Sequence, residues 1–272
     1  MKKRVCICLM LFAGCTLQAA LVDSPGTAGL WHMDTTTTAS YEGLSRTVVA
    51  DDDSYVTGRN NFLVLGNDAA LGGETIAAPL TADGLGVSGQ PGDKALDFTG
   101  GNYCAIAPNQ WANNPKDFEL EFNFKSFDVT ASQTLVHVAG VFELRQEYSA
   151  ASGTRIRFYV WPTGQSGKGV SSNWGVQAET WHHLKVSVEN DGYLAKIYLD
   201  GALGTAYTLT AQLSDWNTNG ASHMTLGATW NNGARWFDGY IDEVKLVPEP
   251  ATIMLLGFGF AIVRQKKSKY AP

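Results

Sequence analysis

Alternation of polar and apolar residues dominates the middle of the chain. Every second residue is apolar in residues 117–125, and three further segments alternate in the same way: residues 155–161, 182–188 and 195–199. Successive side chains of a strand point to opposite faces, so each segment predicts a half-buried β-strand. The last two segments are joined through Asn190-Asp191-Gly192, which is typical of a β-hairpin.

Turn-forming residues punctuate the rest of the chain, at Gly72-Gly73, Gly100-Gly101-Asn102, Asp200-Gly201 and Asn231-Asn232-Gly233. No stretch shows an apolar stripe of helical period. Many short antiparallel strands separated by such turns predict an all-β sandwich. Of all residues, 44% are apolar, 11% are aromatic and 17% are charged, so we expect the chain to build one sizeable core and not to be disordered.

The charge is unevenly distributed. The formal net charge is −6, but 7 of the 20 basic residues lie in the two ends, whereas residues 21–247 hold 25 of the 26 acidic residues and carry a net charge of −12. A body this acidic is repelled by phosphate backbones and anionic lipids, which argues against nucleic-acid binding. Divalent cations or neutral ligands suit it better.

The first 20 residues predict a secretory signal peptide. Lys2, Lys3 and Arg4 precede an apolar run, and small residues end the segment at Ala19 and Ala20. An alternative is a lipoprotein leader that would make Cys15 a lipidated N-terminus, because residues 11–15 resemble a lipobox. With ordinary cleavage Cys104 alone remains, so we expect a small buried thiol and no intrachain disulfide.

The C-terminus combines Pro248-Glu249-Pro250, an apolar run over residues 251–263 and a basic end. This order resembles the PEP-CTERM sorting tail of exported Gram-negative bacterial proteins. The resemblance implies transient membrane insertion through 251–263, recognition by an exosortase-type enzyme and transfer to the cell surface or the extracellular space. The alternative is a permanent membrane anchor, although 13 residues of helix reach only about 20 Å across a hydrocarbon core of about 30 Å.

Four segments in order resemble the successive signatures of laminin-G-like jelly rolls. They are Gly29 to Asp34, Gly92 to Gly101, Trp181 to Leu184 with Leu199 to Gly201, and Phe237 to Val244. The resemblance implies an all-β concanavalin A-like lectin/glucanase fold. We therefore expect a signal peptide over residues 1–20, a laminin-G-like domain over 21–246 and a sorting signal over 247–272. This fold hosts lectins, adhesion modules and glycosidases, so it does not fix the function.

A catalytic motif is imitated but not reproduced. Glucanases of this fold place paired carboxylates on one strand face, and Asp117-x-Glu119-x-Glu121 has similar spacing. The order of Asp and Glu differs, and carboxylates opposite an apolar strand face are expected to be solvated. We therefore expect no hydrolase activity.

His182 and His183 are adjacent in the sequence, so they point to opposite faces of a strand and cannot chelate one metal ion.

A structural calcium ion is the metal that the resemblance implies, because many jelly rolls of this kind hold one. Hard Ca²⁺ takes oxygen ligands, and the acidic body and its turns supply them. The first and last strands usually lie side by side in this fold, which points to Asp34 and Asp242. The alternative is that both are surface or turn-capping carboxylates, since no loop follows the Asp-x-Asp-x-Asp-Gly pattern.

Carbohydrate binding is the other chemistry the sequence suggests, because sugar rings stack on indoles while amides bond to hydroxyl groups. Tryptophans with polar, turn-forming neighbours are the candidates: Trp174, Trp216 and Trp230, the last followed by Asn231 and Asn232. Loops positioned by a rigid sandwich are common binding sites. The alternative for each Trp is an anchor in the core.

Together these features predict an exported, surface-sorted, non-catalytic protein with a lectin-like or adhesive domain in the extracellular matrix. Extracellular polysaccharides or surface glycans would be its partners. Two alternatives remain: a purely structural matrix protein, and a glycan-processing enzyme whose site the sequence does not reveal.

Overall fold

A computed structural model describes residues 29–41, 44–50, 62–66, 80–100, 104–108, 115–216, 223–229 and 235–248. The regular elements of these residues are all β-strands. They are β1 (Gly29–Trp31), β2 (Thr37–Tyr41), β3 (Leu44–Ala50), β4 (Phe62–Gly66), β5 (Leu96–Asp97), β6 (Cys104–Pro108), β7 (Phe118–Ser126), β8 (Gln133–Val138), β9 (Phe142–Ser149), β10 (Gly153–Val160), β11 (Lys168–Ser171), β12 (Trp181–Glu189), β13 (Leu194–Leu199), β14 (Ala202–Thr208), β15 (His223–Leu226) and β16 (Gly239–Pro248).

The strands form two antiparallel sheets. In the first sheet the order is β1-β16-β7-β12-β13-β14, with β5 paired to β16 beyond the end of β1. In the second sheet the order is β11-β10-β9-β8-β15-β6-β4-β3-β2. The first and last strands are neighbours, with Trp31 opposite Val244. This is an all-β jelly-roll sandwich, as the alternation and the resemblance predicted.

The core lies between the inner faces of the sheets. On β7 the apolar positions Phe118, Leu120, Phe122 and Phe124 are all buried, as the alternation predicts. From the second sheet, Phe142 stacks on Phe118 at 5.2 Å between ring centroids. Between these positions Glu119 and Glu121 are partly exposed on the outer face of the sheet, whereas Asn123 is buried.

The predicted hairpin is also present. β12 and β13 pair antiparallel, and both Asn190 and Asp191 at its tip have positive φ, at 59° and 57°. Two successive left-handed residues match the twist of a right-handed strand pair, which explains the Asn-Asp-Gly sequence. Cys104 is buried, as expected.

The last strand, β16, continues to Pro248. The predicted signal peptide and the apolar run over 251–263 lie outside the described residues. Within the described residues, no helix is long and apolar enough to cross a membrane.

Candidate functional site

The outer face of the second sheet carries a band of arginines and aromatic residues along β9 and β10. The register places Arg155 opposite Glu147, Arg157 opposite Arg145 and Tyr159 opposite Glu143. Their side chains point away from the core because the alternating positions, such as Leu144 and Phe158, are buried in it. We call this surface the arginine-aromatic face, and it consists of Arg145, Arg155, Arg157, Tyr159, Trp161 and Trp174.

Glu147 is shared by two arginines. Its carboxylate lies 3.2 Å from Nη2 of Arg155 and 3.6 Å from Nη1 of Arg157, and it accepts a 2.5 Å hydrogen bond from the Tyr159 hydroxyl. Burial raises the pKa of Glu147, but the Tyr159 hydrogen bond and the arginines outweigh it and hold this pKa below its usual value. Glu147 is therefore an anion that positions the two guanidinium groups.

Glu143 has the same role for a second pair of arginines. Its side chain is 2% exposed and accepts hydrogen bonds from Arg145 and from Oγ1 of Thr134, while Nη2 of Arg235 lies 3.4 Å away. Burial opposes ionisation, yet the Arg145 and Thr134 hydrogen bonds lower the pKa of Glu143. Four guanidinium groups thus surround two carboxylates, which leaves an excess of positive charge.

Aromatic rings hold the arginines in place. The guanidinium carbons of Arg145 and Arg157 lie 4.7 and 4.6 Å from the centroid of the Tyr159 ring. Arg155 lies 4.5 Å from the Trp174 ring centroid, and Trp161 lies 6.3 Å from Tyr159. Guanidinium groups stacked on aromatic faces keep their edges free to donate hydrogen bonds.

Glycines on the edge strand make room for these side chains. A Cβ at Gly169 of β11 would lie 2.4 Å from Nε of Arg157. A Cβ at Gly167, just before β11, would lie 2.9 Å from Nε1 of Trp161. Since real Cβ atoms do not approach so closely, the absence of a side chain lets Arg157 and Trp161 lie flat across the sheet edge.

The structure separates the predicted tryptophans. Trp174 is 40% exposed, so part of its indole is available to a ligand. Trp216 requires a correction: it is 1% exposed, and its ring packs edge-on against Phe118 and Phe142, with centroids 5.1 and 5.4 Å apart. It is a core anchor with no face left for a sugar. The predicted Trp230, Asn231 and Asn232 lie outside the described residues.

The predicted metal ligands are tied to one loop. The carboxylate of Asp34 accepts a hydrogen bond from the Lys94 amide at 3.1 Å, and that of Asp242 accepts one from the Val87 amide at 2.8 Å. Asp242 is 0% exposed. Burial raises its pKa to about 8, with further increases from the charges of Glu243 and Asp93.

An orphaned oxygen accompanies Asp242. Asn123 lies opposite Asp242 in the register of β7 and β16, is 1% exposed, and its Oδ1 has no hydrogen-bond partner. A buried acceptor beside a buried carboxyl is a place where a cation would be stabilised, and oxygen donors fit Ca²⁺. Among the described residues no three His, Cys, Asp or Glu side chains are grouped to hold a metal, so an ion here would need amide and main-chain oxygens.

The carboxylates of β7 form ion pairs on the outer face of the first sheet. Glu119 lies 2.6 Å from Lys185, and Glu121 lies 3.6 Å from His183. Burial raises the pKa of Glu121, but His183 and the nearby lysines hold it below the usual value. A general acid needs a raised pKa, so Glu121 does not resemble one.

His182 points to the opposite face of β12 from His183. Its Nδ1 lies 2.7 Å from Asp200, and its Nε2 accepts a hydrogen bond from the Gln177 amide.

The fold is an all-β jelly-roll sandwich, and the arginine-aromatic face lies on the outer side of its second sheet. The chain belongs to the concanavalin A-like lectin/glucanases superfamily, whose family model matches residues 98–252, more than half of the chain. A PEP-CTERM protein-sorting motif matches residues 246–267. Both resemblances noted in the sequence are confirmed, and the sorting motif indicates export.

Solved structures share the fold at low sequence identity. Domain 4 of AbnA, a GH43 extracellular arabinanase from Geobacillus stearothermophilus, solved in complex with arabinotriose, is 16% identical, with 82% of this chain and 92% of that chain covered and a TM-score of 0.53. The CBM40 of Ruminococcus gnavus IT-sialidase is also 16% identical, covering 50% of this chain and 78% of its own, with a TM-score of 0.43. No curated protein matches the chain. Likeness at this level shows the fold alone.

The outward positions of one predicted strand already contained part of the arginine-aromatic face, although the polar and apolar alternation did not identify them as a site. Arg155, Arg157, Tyr159 and Trp161 occupy successive outward positions of one predicted strand. The strand was recognised from its apolar positions, but the outward positions became a site only when β9 added Arg145 beside them.

Proposed function

We propose that the protein is an exported, non-catalytic carbohydrate-binding protein of the cell surface or extracellular matrix of a Gram-negative bacterium. Its arginine-aromatic face binds an extracellular polysaccharide or surface glycan. The observation that carries this proposal is the exposed indole of Trp174, braced by Arg155 at 4.5 Å beside further arginines. Such a surface offers a stacking platform and directional donors together.

Two other observations support the proposal. A neighbour with the same fold is the arabinanase domain solved with arabinotriose, so this sandwich can carry a saccharide site. Arg235, which reaches Glu143, follows residues 230–234 in the sequence. We therefore retain Trp230, Asn231 and Asn232 as predicted contributors to binding, together with Trp174.

The sorting motif supplies the route to the surface. An exosortase-type enzyme would recognise Pro248-Glu249-Pro250 while the apolar segment 251–263 holds the chain in the membrane. The domain would then be released or transferred outside the cell. We further propose one structural Ca²⁺ near Asp242 and Asp34, because among the described residues the buried Oδ1 of Asn123 has no hydrogen-bond partner and lies beside the buried carboxyl group of Asp242.

A glycan array with the mature protein tests the function, and reducing-sugar release from the same polysaccharides tests for an enzyme. Retention without sugar release supports a non-catalytic binder. Absence of retention on every glycan favours a purely structural matrix protein. Sugar release that persists in highly purified protein would establish the enzyme alternative instead.

A further inference from the structure

The arginine-aromatic face has a positive charge that differs from the rest of the domain. The body of the chain, residues 21–247, carries a net charge of −12, which by itself favours neutral ligands or cations. Among the described residues, however, the arginines of this face and the adjoining Arg235 surround two carboxylates, those of Glu143 and Glu147. The local excess of about two positive charges is not explained by the fold, because core packing needs none of them.

Hydrogen-bond donors are also left over. Each guanidinium group has a planar fork of five donors; the Nε atoms of Arg155 and Arg157 are buried, and Glu147 engages one terminal nitrogen of each group. The two side chains remain 26% and 32% exposed, so a ligand can reach their ends. Glu147 and the aromatic rings keep them in fixed positions, which lowers the entropy cost of binding.

We propose that the ligand of this face is a carboxylate-bearing polysaccharide. Its carboxylates would pair with Arg155 and Arg157, while a sugar ring stacks on Trp174. A guanidinium fork matches a carboxylate in two parallel hydrogen bonds, which a hydroxyl group cannot reproduce. The inference rests on the proposed function and adds the class of glycan.

Because the rest of the domain is acidic, the affinity for an acidic glycan should depend on salt concentration in a specific way. At about 0.01 M salt the Debye length is about 30 Å, so the whole negative domain repels an acidic polymer. At about 0.1 M it falls to about 10 Å, which screens the distant acids more than the arginines in direct contact. Binding is therefore strongest at intermediate ionic strength and declines again near 1 M salt.

The test measures the affinity of the mature protein for polygalacturonate, alginate and heparin, with fully methyl-esterified polygalacturonate and neutral arabinan as uncharged partners. The expected result is binding to polygalacturonate or alginate, with loss of binding to polygalacturonate when its carboxylates are esterified. Binding to heparin alone would indicate recognition of sulfate groups and would overturn the inference. Arg157→Gln should then weaken binding about tenfold or more, the effect of losing one charge-assisted contact. Lys196→Gln removes a charge from the other sheet and should leave the affinity nearly unchanged.

Equal affinity for acidic and uncharged glycans would overturn the inference while the proposed function stands. Binding to arabinan alone would do the same. If no glycan of any kind is retained, the proposed function itself fails. A loss as large in Lys196→Gln as in Arg157→Gln would also contradict the inference, because the effect would then reflect total charge.

Discussion

Arg145 and Arg157 lie directly opposite each other in the register of β9 and β10, so two like charges are neighbours on the outer face of one sheet. Directly opposed like charges destabilise an antiparallel pair. Tyr159 lies within 4.7 Å of both guanidinium groups and partly offsets this repulsion. On the outer face of the first sheet, by contrast, Glu119 pairs with Lys185. A local conflict such as that of Arg145 with Arg157 is expected where a surface serves binding.

The small edge residue beside Arg157 gives the first prediction. Gly169→Ala adds a Cβ that would lie only 2.4 Å from Nε of Arg157, so the arginine side chain must move away from the sheet. We expect a several-fold loss of glycan affinity with little change in the melting midpoint, because Gly169 has ordinary strand backbone. Thr208→Ala, at an exposed position of β14 in the other sheet, is the control. If Gly169→Ala binds as tightly as the native protein, Arg157 does not contact the ligand.

Acid stability should depend on Glu143. Its folded pKa is depressed, so its ion pairs stabilise the protein above about pH 4.5, and this contribution disappears as the pH falls through the folded value. Glu143→Gln should therefore cost about 1 to 3 kcal/mol of unfolding free energy at neutral pH and much less in strong acid. Denaturant unfolding at several pH values measures this.

The control for Glu143 is a carboxylate in an exposed ion pair. Glu119→Gln breaks the pair with Lys185, in which both side chains are 33% exposed, and should cost about 0.5 kcal/mol. A cost for Glu143→Gln that does not change with pH would show that shape, and not charge, determines its effect.

Calcium removal tests the metal proposal. An ion bound only by the folded state adds about 2.7 kcal/mol at a hundredfold excess over its dissociation constant, so chelation should lower the melting midpoint. The calcium-dependent rise should vanish in Asp242→Ala and shrink in Asp34→Ala. Asp215→Ala, at a half-exposed carboxylate, should keep it. An equal calcium response in all three variants would remove Asp242 from the site.

Processing of the C-terminus is open to direct measurement. Because the sorting motif spans residues 246–267, mature surface material should lack the residues after Pro248 to Pro250. Mass spectrometry of peptides from the cell surface and from the membrane fraction measures the end of the chain. Recovery of residues 264–272 from the surface form would support a permanent anchor instead.

The sequence predicted strands well because alternation is local information. The apolar series of β7 and the Asn-Asp-Gly turn before β13 fixed their elements without any knowledge of the partner strands. The arginine-aromatic face depends on which strands become neighbours, and the register that places Arg145 beside Arg157 is a property of the whole sheet. Trp216 misled for a related reason, since its polar neighbours Asp215 and Ser214 gave no sign that the indole turns inward.

The proposed function requires that the arginine-aromatic face binds a saccharide through Trp174. Its most direct test is the affinity of Trp174→Ala for the best-bound glycan, measured by titration calorimetry beside Tyr207→Ala, which removes an aromatic ring that is 39% exposed on the other sheet. We predict that Trp174→Ala loses about tenfold or more in affinity, while its stability falls by only about 1 kcal/mol. Trp216→Ala, by contrast, should cost about 3 to 5 kcal/mol of stability. Unchanged glycan affinity in a well-folded Trp174→Ala variant would contradict the account.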